Sequence, residues 1–319
     1  MLRALSLCLV LLLGCGRAEA QNWPAHPVLM VVPYAAGGGT DTVARILAQK
    51  FTGIFGQSFV VENRPGASGM IGAASVARSD PDGYTLLVAS PAEVALNQNL
   101  FKNMNYDPLN DLTSITLLAW TPLVLAAHPS FPASTPEEFI KLAQQEVVYF
   151  STPGIGSSHH LAGEYINALQ HTKLVHVPYR GAAPAITDAV AGQVKLTISG
   201  MPPVVPFLKS GALKAIAVTS KLRSPSFPDI PAMAEIKGFE DFDFTNWFGL
   251  LARTGTPPNI LDRLQKAAVD VLKDPQVRAV LENQAAVPVG DTPAEFHDFI
   301  REKAAKYARI VEITHLQLK

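Results

Sequence analysis

The chain has 319 residues, 48% of them apolar and 17% charged, with a formal net charge of -1 and two cysteines. That composition is globular rather than disordered, and at roughly 100 to 200 residues per domain the length suggests two lobes. A near-neutral balance with no basic stripe excludes nucleic acid as a partner, because phosphate binding requires such a stripe.

Arg3 stands ahead of an apolar run over residues 4–13, and the triplet Ala18-Glu19-Ala20 closes the segment. This predicts a secretory signal peptide over residues 1–20 and an exported mature protein. Leu12-Leu13-Gly14-Cys15 loosely matches a lipobox, so lipid anchoring through Cys15 is the alternative. Both cysteines, Cys8 and Cys15, fall in this leader. Cleavage after Ala20 leaves no thiol for a disulfide, a cysteine nucleophile or a thiolate metal site. The apolar run is shorter than the roughly 20 residues of a spanning helix, and no later segment is longer.

Next come a β-rich run over residues 28–33, the loop Ala35-Ala36-Gly37-Gly38-Gly39, and a helical pattern with Val43, Ile46, Leu47, Phe51, Ile54 and Phe55 on one face. The order is strand, glycine loop, helix. A short strand at 59–61, a small-residue helix from about 68 to 78 and a strand at 84–89 follow, separated by Asn63-Arg64-Pro65-Gly66 and Pro81-Asp82-Gly83. Strands at 147–150, 174–177, 194–198 and 215–218 repeat the rhythm as a second α/β unit. Two apolar strands, 115–127 and 242–252, are expected to cross between the units. A discontinuous first lobe (21–122 and 246–319) would then enclose a second (123–245), with a hinge where the connections cross. Trp247, on the second crossing strand, reads as hinge core rather than ligand platform. The C-terminal stretch is helical, opening at Pro257-Pro258, breaking at Asp274-Pro275 and reopening at Thr292-Pro293.

Three strand-to-helix junctions share one design: Tyr34 through Gly37–39 to Thr40-Asp41, Ser151-Thr152 through Gly154-Ile155-Gly156 to Ser157-Ser158, and Tyr179-Arg180-Gly181 to Ala182-Ala183. Each aims free backbone N–H groups and the positive end of a helix dipole out of a sheet edge, which is an anion site. In open α/β sheets the ligand crevice lies there. A dipole adds about 0.3–1 kcal/mol and a hydrogen bond to a charged group about 1.5–3. Several such donors reach the roughly 8 kcal/mol of a micromolar complex without a buried arginine. A carboxylate fits that arithmetic. Any one glycine loop could equally be a plain turn; three, split between two lobes, argue otherwise.

Rival motifs fail on spacing. No stretch reads as a P-loop, neither Gly37-Gly38-Gly39 nor Gly154-Ile155-Gly156 completes a dinucleotide fingerprint, and Gly66-Ala67-Ser68-Gly69-Met70 lacks the last glycine of a nucleophile elbow. Ser157 and Ser158 beside His159 and His160 read as helix caps, because adjacent residues face different ways. The histidines, with His171 and His176, show no metal-ligand spacing, so no metal and no cofactor is expected. Arg180 is open between a surface charge and a ligand contact.

With these residues in hand, the chain resembles the Bug-type solute receptors of tripartite tricarboxylate transporters. The landmarks run from about residue 27 to 313 and include VPYAAGGGTDTVAR (32–45), VENRPGASGMIGAASVARSDPDGYTLL (61–87), GIGSSHHLAGE (154–164), VPYRGAAPAITDAVAGQV (177–194), LKAIAVTS (213–220) and WFGLLARTGTPPNIL (247–261). The resemblance implies a two-lobed α/β fold of the periplasmic binding-protein type II, hinged by two strands around a cleft. It implies a periplasmic, non-enzymatic, monomeric receptor that passes a small mono- or dicarboxylate, aromatic acids included, to the membrane permease subunits of such a transporter. The ligand-binding positions it implies are Tyr34, Ala36, Gly37, Gly38, Thr40 and Asp41, with Ser90 and Ala92; from the second lobe come Gly156, Ser157, Ser158, His159, Tyr179, Arg180, Gly181 and Ala182. Asp41 is expected to cap and fix its loop. Pro153 departs from the small or polar residue usual there, and the segment at 144–146 looks shortened. A ligand sensor for a two-component kinase and a secreted hydrolase are the competing classes.

Overall fold

The structure, a computed structural model, describes residues 23–318. The expected leader, its cleavage point and Cys15 lie outside the described residues.

The first part of the chain forms β1 (Val28–Val32), α1 (Gly39–Phe55), β2 (Phe59–Asn63), α2 (Met70–Ala77), β3 (Thr85–Ala89) and, after a π-helical turn at Ala92–Leu96, the short α3 (Asn97–Leu100). The middle forms β4 (Leu112–Ala127), α4 (Pro136–Gln145), β5 (Val148–Thr152), α5 (Ser158–Gln170), β6 (Leu174–Pro178), α6 (Ala182–Val190), β7 (Leu196–Gly200), α7 (Met201–Lys209) and β8 (Lys214–Val218). The last part forms β9 (Thr245–Arg253), α8 (Pro258–Lys273), α9 (Pro275–Glu282), β10 (Val287–Pro288) and α10 (Pro293–Thr314).

The sequence explains these elements locally. β1 reads VLMVV and is buried on both faces, as a parallel strand covered by helices requires. α1 buries Val43, Ala44, Leu47, Ala48 and Phe51, one stripe at three- and four-residue spacing. α4 and α10 each open with a complete capping box, Thr135 with Glu138 and Thr292 with Glu295.

The strands form one ten-stranded sheet in which two parallel triplets recur. β1 pairs with β2 and β3, and β5 pairs with β6 and β7, always in parallel and always with the first strand central. Such an order places a ligand crevice beyond the carboxyl ends of the strands. Antiparallel β9 and β4 extend the first triplet. β4 pairs with β9 through Pro122, and from Leu123 onward it pairs with β7 and β8 instead. The return crossing is tied at the same level: Phe244 N–H donates to Thr219 O (2.8 Å), and Thr219 N–H donates to Leu123 O (3.0 Å). Two strands therefore connect two halves at one place.

β9 starts later than the expected 242. Phe242 and Phe244 turn into an aromatic cluster with Phe239 and Tyr165, where burial outweighs strand pairing. Trp247 is fully buried, edge-on to Phe296 and Phe299 at 5.9 and 5.4 Å, within the core at the crossing. Gly249, two residues on, is pressed against Phe296: an added Cβ would lie 2.0 Å from its Cζ. Gly249→Ala is expected to cost about 1–3 kcal/mol, the usual penalty for overpacking. A urea midpoint unchanged from the parent would contradict that packing.

Candidate functional site

Four helices begin at the carboxyl ends of strands and point their first turns at one place. α1 follows β1, α5 follows β5, α6 follows β6 and α7 follows β7. Their start residues line a common cavity with a volume of about 30 Å3. Ser90 and Ala92, just beyond β3, line it too. The caps of these helices differ from those of α4 and α10. Gly38, Gly181 and Gly200 precede α1, α6 and α7, and no side chain caps any of the three. A first turn without a cap leaves N–H groups available to something else. On α5, Ser157 caps His160 N–H alone.

No lysine, arginine, aspartate or glutamate lines the cavity. Its positive potential comes from helix dipoles and N–H groups. α7 departs from the others because Pro202 and Pro203 sit in its first turn and carry no N–H. Together with Phe248 they form an apolar wall. The cavity thus has a donor-rich side, at α1, α5 and α6, and an apolar side.

The implied residues divide by place. Tyr34, Gly38, Thr40, Ser90, Ala92, Ser157, Ser158, His159 and Ala182 line the cavity. Tyr179 and Arg180 line an adjoining outer groove of about 1040 Å3, which meets the cavity at Tyr34 and Pro153 and also carries Lys102. There the Tyr179 hydroxyl donates to Asp188 (2.5 Å), and Arg180 is exposed. Ala36, Gly37, Asp41, Gly156 and Gly181 lie in the loops around the cavity without lining it. Gly37 N–H donates to Asp41 Oδ2 (2.9 Å), while Asn63 and Arg45 hold the rest of that carboxylate. Burial alone would raise the Asp41 carboxyl, but these hydrogen bonds outweigh it and hold the group below its usual range. Gly156 N–H donates to His160 Nδ1 (3.2 Å), so that N–H is already committed. His160 in turn stacks on His176 at 3.9 Å. Gly181 abuts Ala35 of the other half.

Neither Ser157 nor Ser158 bonds a histidine ring through its hydroxyl among the described residues; Ser157 Oγ donates to Gly154 O (2.8 Å). Within those residues no cluster of three metal-ligating side chains forms, and no helix is long and apolar enough to cross a membrane.

The sequence reading missed Asn246, Phe248, Gly200, Pro202 and Pro203 in the wall, and Glu93 behind it. Glu93 is fully buried, and its carboxylate accepts from Ser90 N–H (2.8 Å) and Ser90 Oγ (3.1 Å). The Tyr34 hydroxyl lies 3.1 Å from Ser90 Oγ and hydrogen-bonds to it. Burial pushes the Glu93 carboxyl up to about 7, and burial followed by the Glu93 charge raises the Tyr34 hydroxyl well above its ordinary value. His159 is pushed down to about 3 by burial, so its ring is neutral.

The family described as "Tripartite tricarboxylate transporter family receptor" matches residues 43–316. Protein BugT of Bordetella pertussis is 35% identical over 304 residues, covering 94% of this chain and 93% of BugT. Among solved structures, an R. palustris protein with adipate has a TM-score of 0.89 at 31% identity, covering 92% of this chain and 98% of that one. MatC from Rhodopseudomonas palustris with bound malate has a TM-score of 0.84 at 31% identity, covering 91% of this chain and all of that one (100%).

Proposed function

Since the chain belongs to the tripartite tricarboxylate transporter receptor family, we propose that it is a non-enzymatic, monomeric periplasmic receptor that captures a small organic carboxylate and delivers it to the permease subunits of such a transporter. The observation that carries this reading is the convergence of uncapped helix starts on one cavity without a charged side chain. Gly38, Thr40, Ser158, His159 and Ala182 are the positions that would hold the carboxylate through backbone N–H groups, with the hydroxyls of Thr40, Ser90 and Ser158 beside them. The adipate and malate in the two R. palustris structures support the same ligand class.

We place the first lobe at 21–122 and 246–319 and the second at 123–245, because the pairing of β4 changes between Pro122 and Leu123. The cavity is walled from both lobes so placed, by Gly38, Thr40 and Asn246 on one side and Ser158, His159 and Ala182 on the other, so opening of the hinge would admit an acid and closure would bury it.

Thermal denaturation against a panel of mono-, di- and tricarboxylates and aromatic acids, with their uncharged esters, tests the proposal. Ligand at 100 times its dissociation constant adds about 2.7 kcal/mol. The midpoint should rise with at least one free acid and stay put with its ester. No rise with any acid, or hydrolysis of an ester during incubation, would count against the receptor reading.

A further inference from the structure

Two side chains in the cavity wall are left without partners. Asn246, on β9, is 7% exposed, and its amide makes no hydrogen bond to any described residue; its Oδ1 is sealed from solvent. His159, at the start of α5, is 6% exposed, and its Nδ1 is likewise buried and unpartnered. Both residues line the same cavity, one from each lobe as placed above, and in this conformation the two unpartnered atoms are covered, to be reached as the lobes part. A buried polar atom left unpaired costs about 1–3 kcal/mol, so native proteins seldom keep two in one small space unless something else pairs with them.

What pairs with them follows from their chemistry. An amide and a neutral imidazole each offer one acceptor and at least one donor, and neither carries charge. A second carboxylate has acceptors only and would leave Asn246 Oδ1 as it is. An ammonium group would be a donor, but it would meet the positive ends of three helices with no carboxylate in the wall to offset it. A hydroxyl both donates and accepts and is uncharged. Building on the carboxylate reading above, we propose that Asn246 and His159 form a hydroxyl-reading pair, so that the ligand is a hydroxy acid whose carboxylate faces the helix starts.

Calorimetric titration with matched acids tests this: lactate against propionate, 3-hydroxybutyrate against butyrate, and malate against succinate. At least one hydroxy acid should bind tenfold or more tightly than its deoxy twin, because a site built to bond a hydroxyl rejects the analogue that lacks it. Asn246→Leu should bring that pair within about threefold, with Asn246→Ser as a second variant should leucine unfold β9. Deoxy acids binding as tightly as their twins throughout, or discrimination that survives both substitutions, would overturn the hydroxyl assignment while leaving carboxylate binding intact. No binding of any acid would remove the carboxylate reading and this inference with it.

Discussion

Gly181→Ala is expected to weaken acid binding by about 10- to 100-fold and to lower the stability of the ligand-free protein as well. Gly181 has φ 148° and ψ 170°, a backbone region that residues with a Cβ rarely adopt. Holding alanine there costs about 1–3 kcal/mol. An added Cβ would also lie 2.9 Å from Ala35 Cβ, on the glycine loop that precedes α1. The clash spans the cleft, so it exists only when the two loops meet. The 2.9 Å contact therefore penalises the closed form, which is the form that binds. Calorimetry with the acid that gives the largest thermal shift reads the effect directly. Equal affinity in variant and parent would mean that these loops do not meet when ligand is bound.

The second large effect belongs to Glu93. Its carboxyl titrates near 7 in the folded protein against an ordinary value of 4.5, because burial penalises the charged form and no cation is among the groups that set its titration. A raised acid binds more protons folded than unfolded, so its stabilising contribution is fully present below about 4.5 and is lost as pH rises through about 7. The loss amounts to roughly 3 kcal/mol, a melting-point change of several degrees. His159 and His176, both held near 3 by burial, act in the opposite sense: their contribution is lost as pH falls below about 6.5. Comparing the parent with Glu93→Gln across about pH 5 to 8 separates the two, and the variant should lack the fall in melting temperature toward alkaline pH. A bound carboxylate beyond Ser90 adds a second negative charge and raises the Glu93 carboxyl further. Acid affinity should therefore drop several-fold as pH rises through 7 in the parent and stay level in Glu93→Gln. Parallel pH profiles for the two proteins, in stability or in affinity, would remove Glu93 from this role.

The parts of the site that the sequence exposes are those whose chemistry is local. A glycine loop between an apolar run and an amphipathic helix announces an anion-binding helix start within a dozen residues, which is why the approach to α1, α5 and α6 was legible. α7 was not, since proline usually interrupts a helix and α7 holds Pro202, Pro203 and Pro206; two of them fall in the first turn, where the missing N–H costs no helical bond. Asn246 and Phe248 sit on a strand buried on both faces, so no alternation marks which side chain meets the cavity. Glu93 lies in a π-helical turn among apolar residues, and only the fold reveals that Ser90 and Tyr34 enclose it. Gly156 illustrates the converse: its place in a glycine loop suggested a ligand contact, whereas His160, four residues on, takes its N–H. The double crossing was legible from two long apolar strands, but the switch of β4 at Leu123 depends on partners more than seventy residues away.

The most direct test is an amide NMR titration of the mature protein with the panel acids. Binding through helix starts predicts large downfield shifts and slowed exchange at the N–H groups of Gly38, Gly39, Thr40, Ser158 and Ala182, with Arg180 and Lys102 little changed. Shifts confined to the outer groove around Arg180 and Lys102, with the helix-start amides unmoved, would contradict the account.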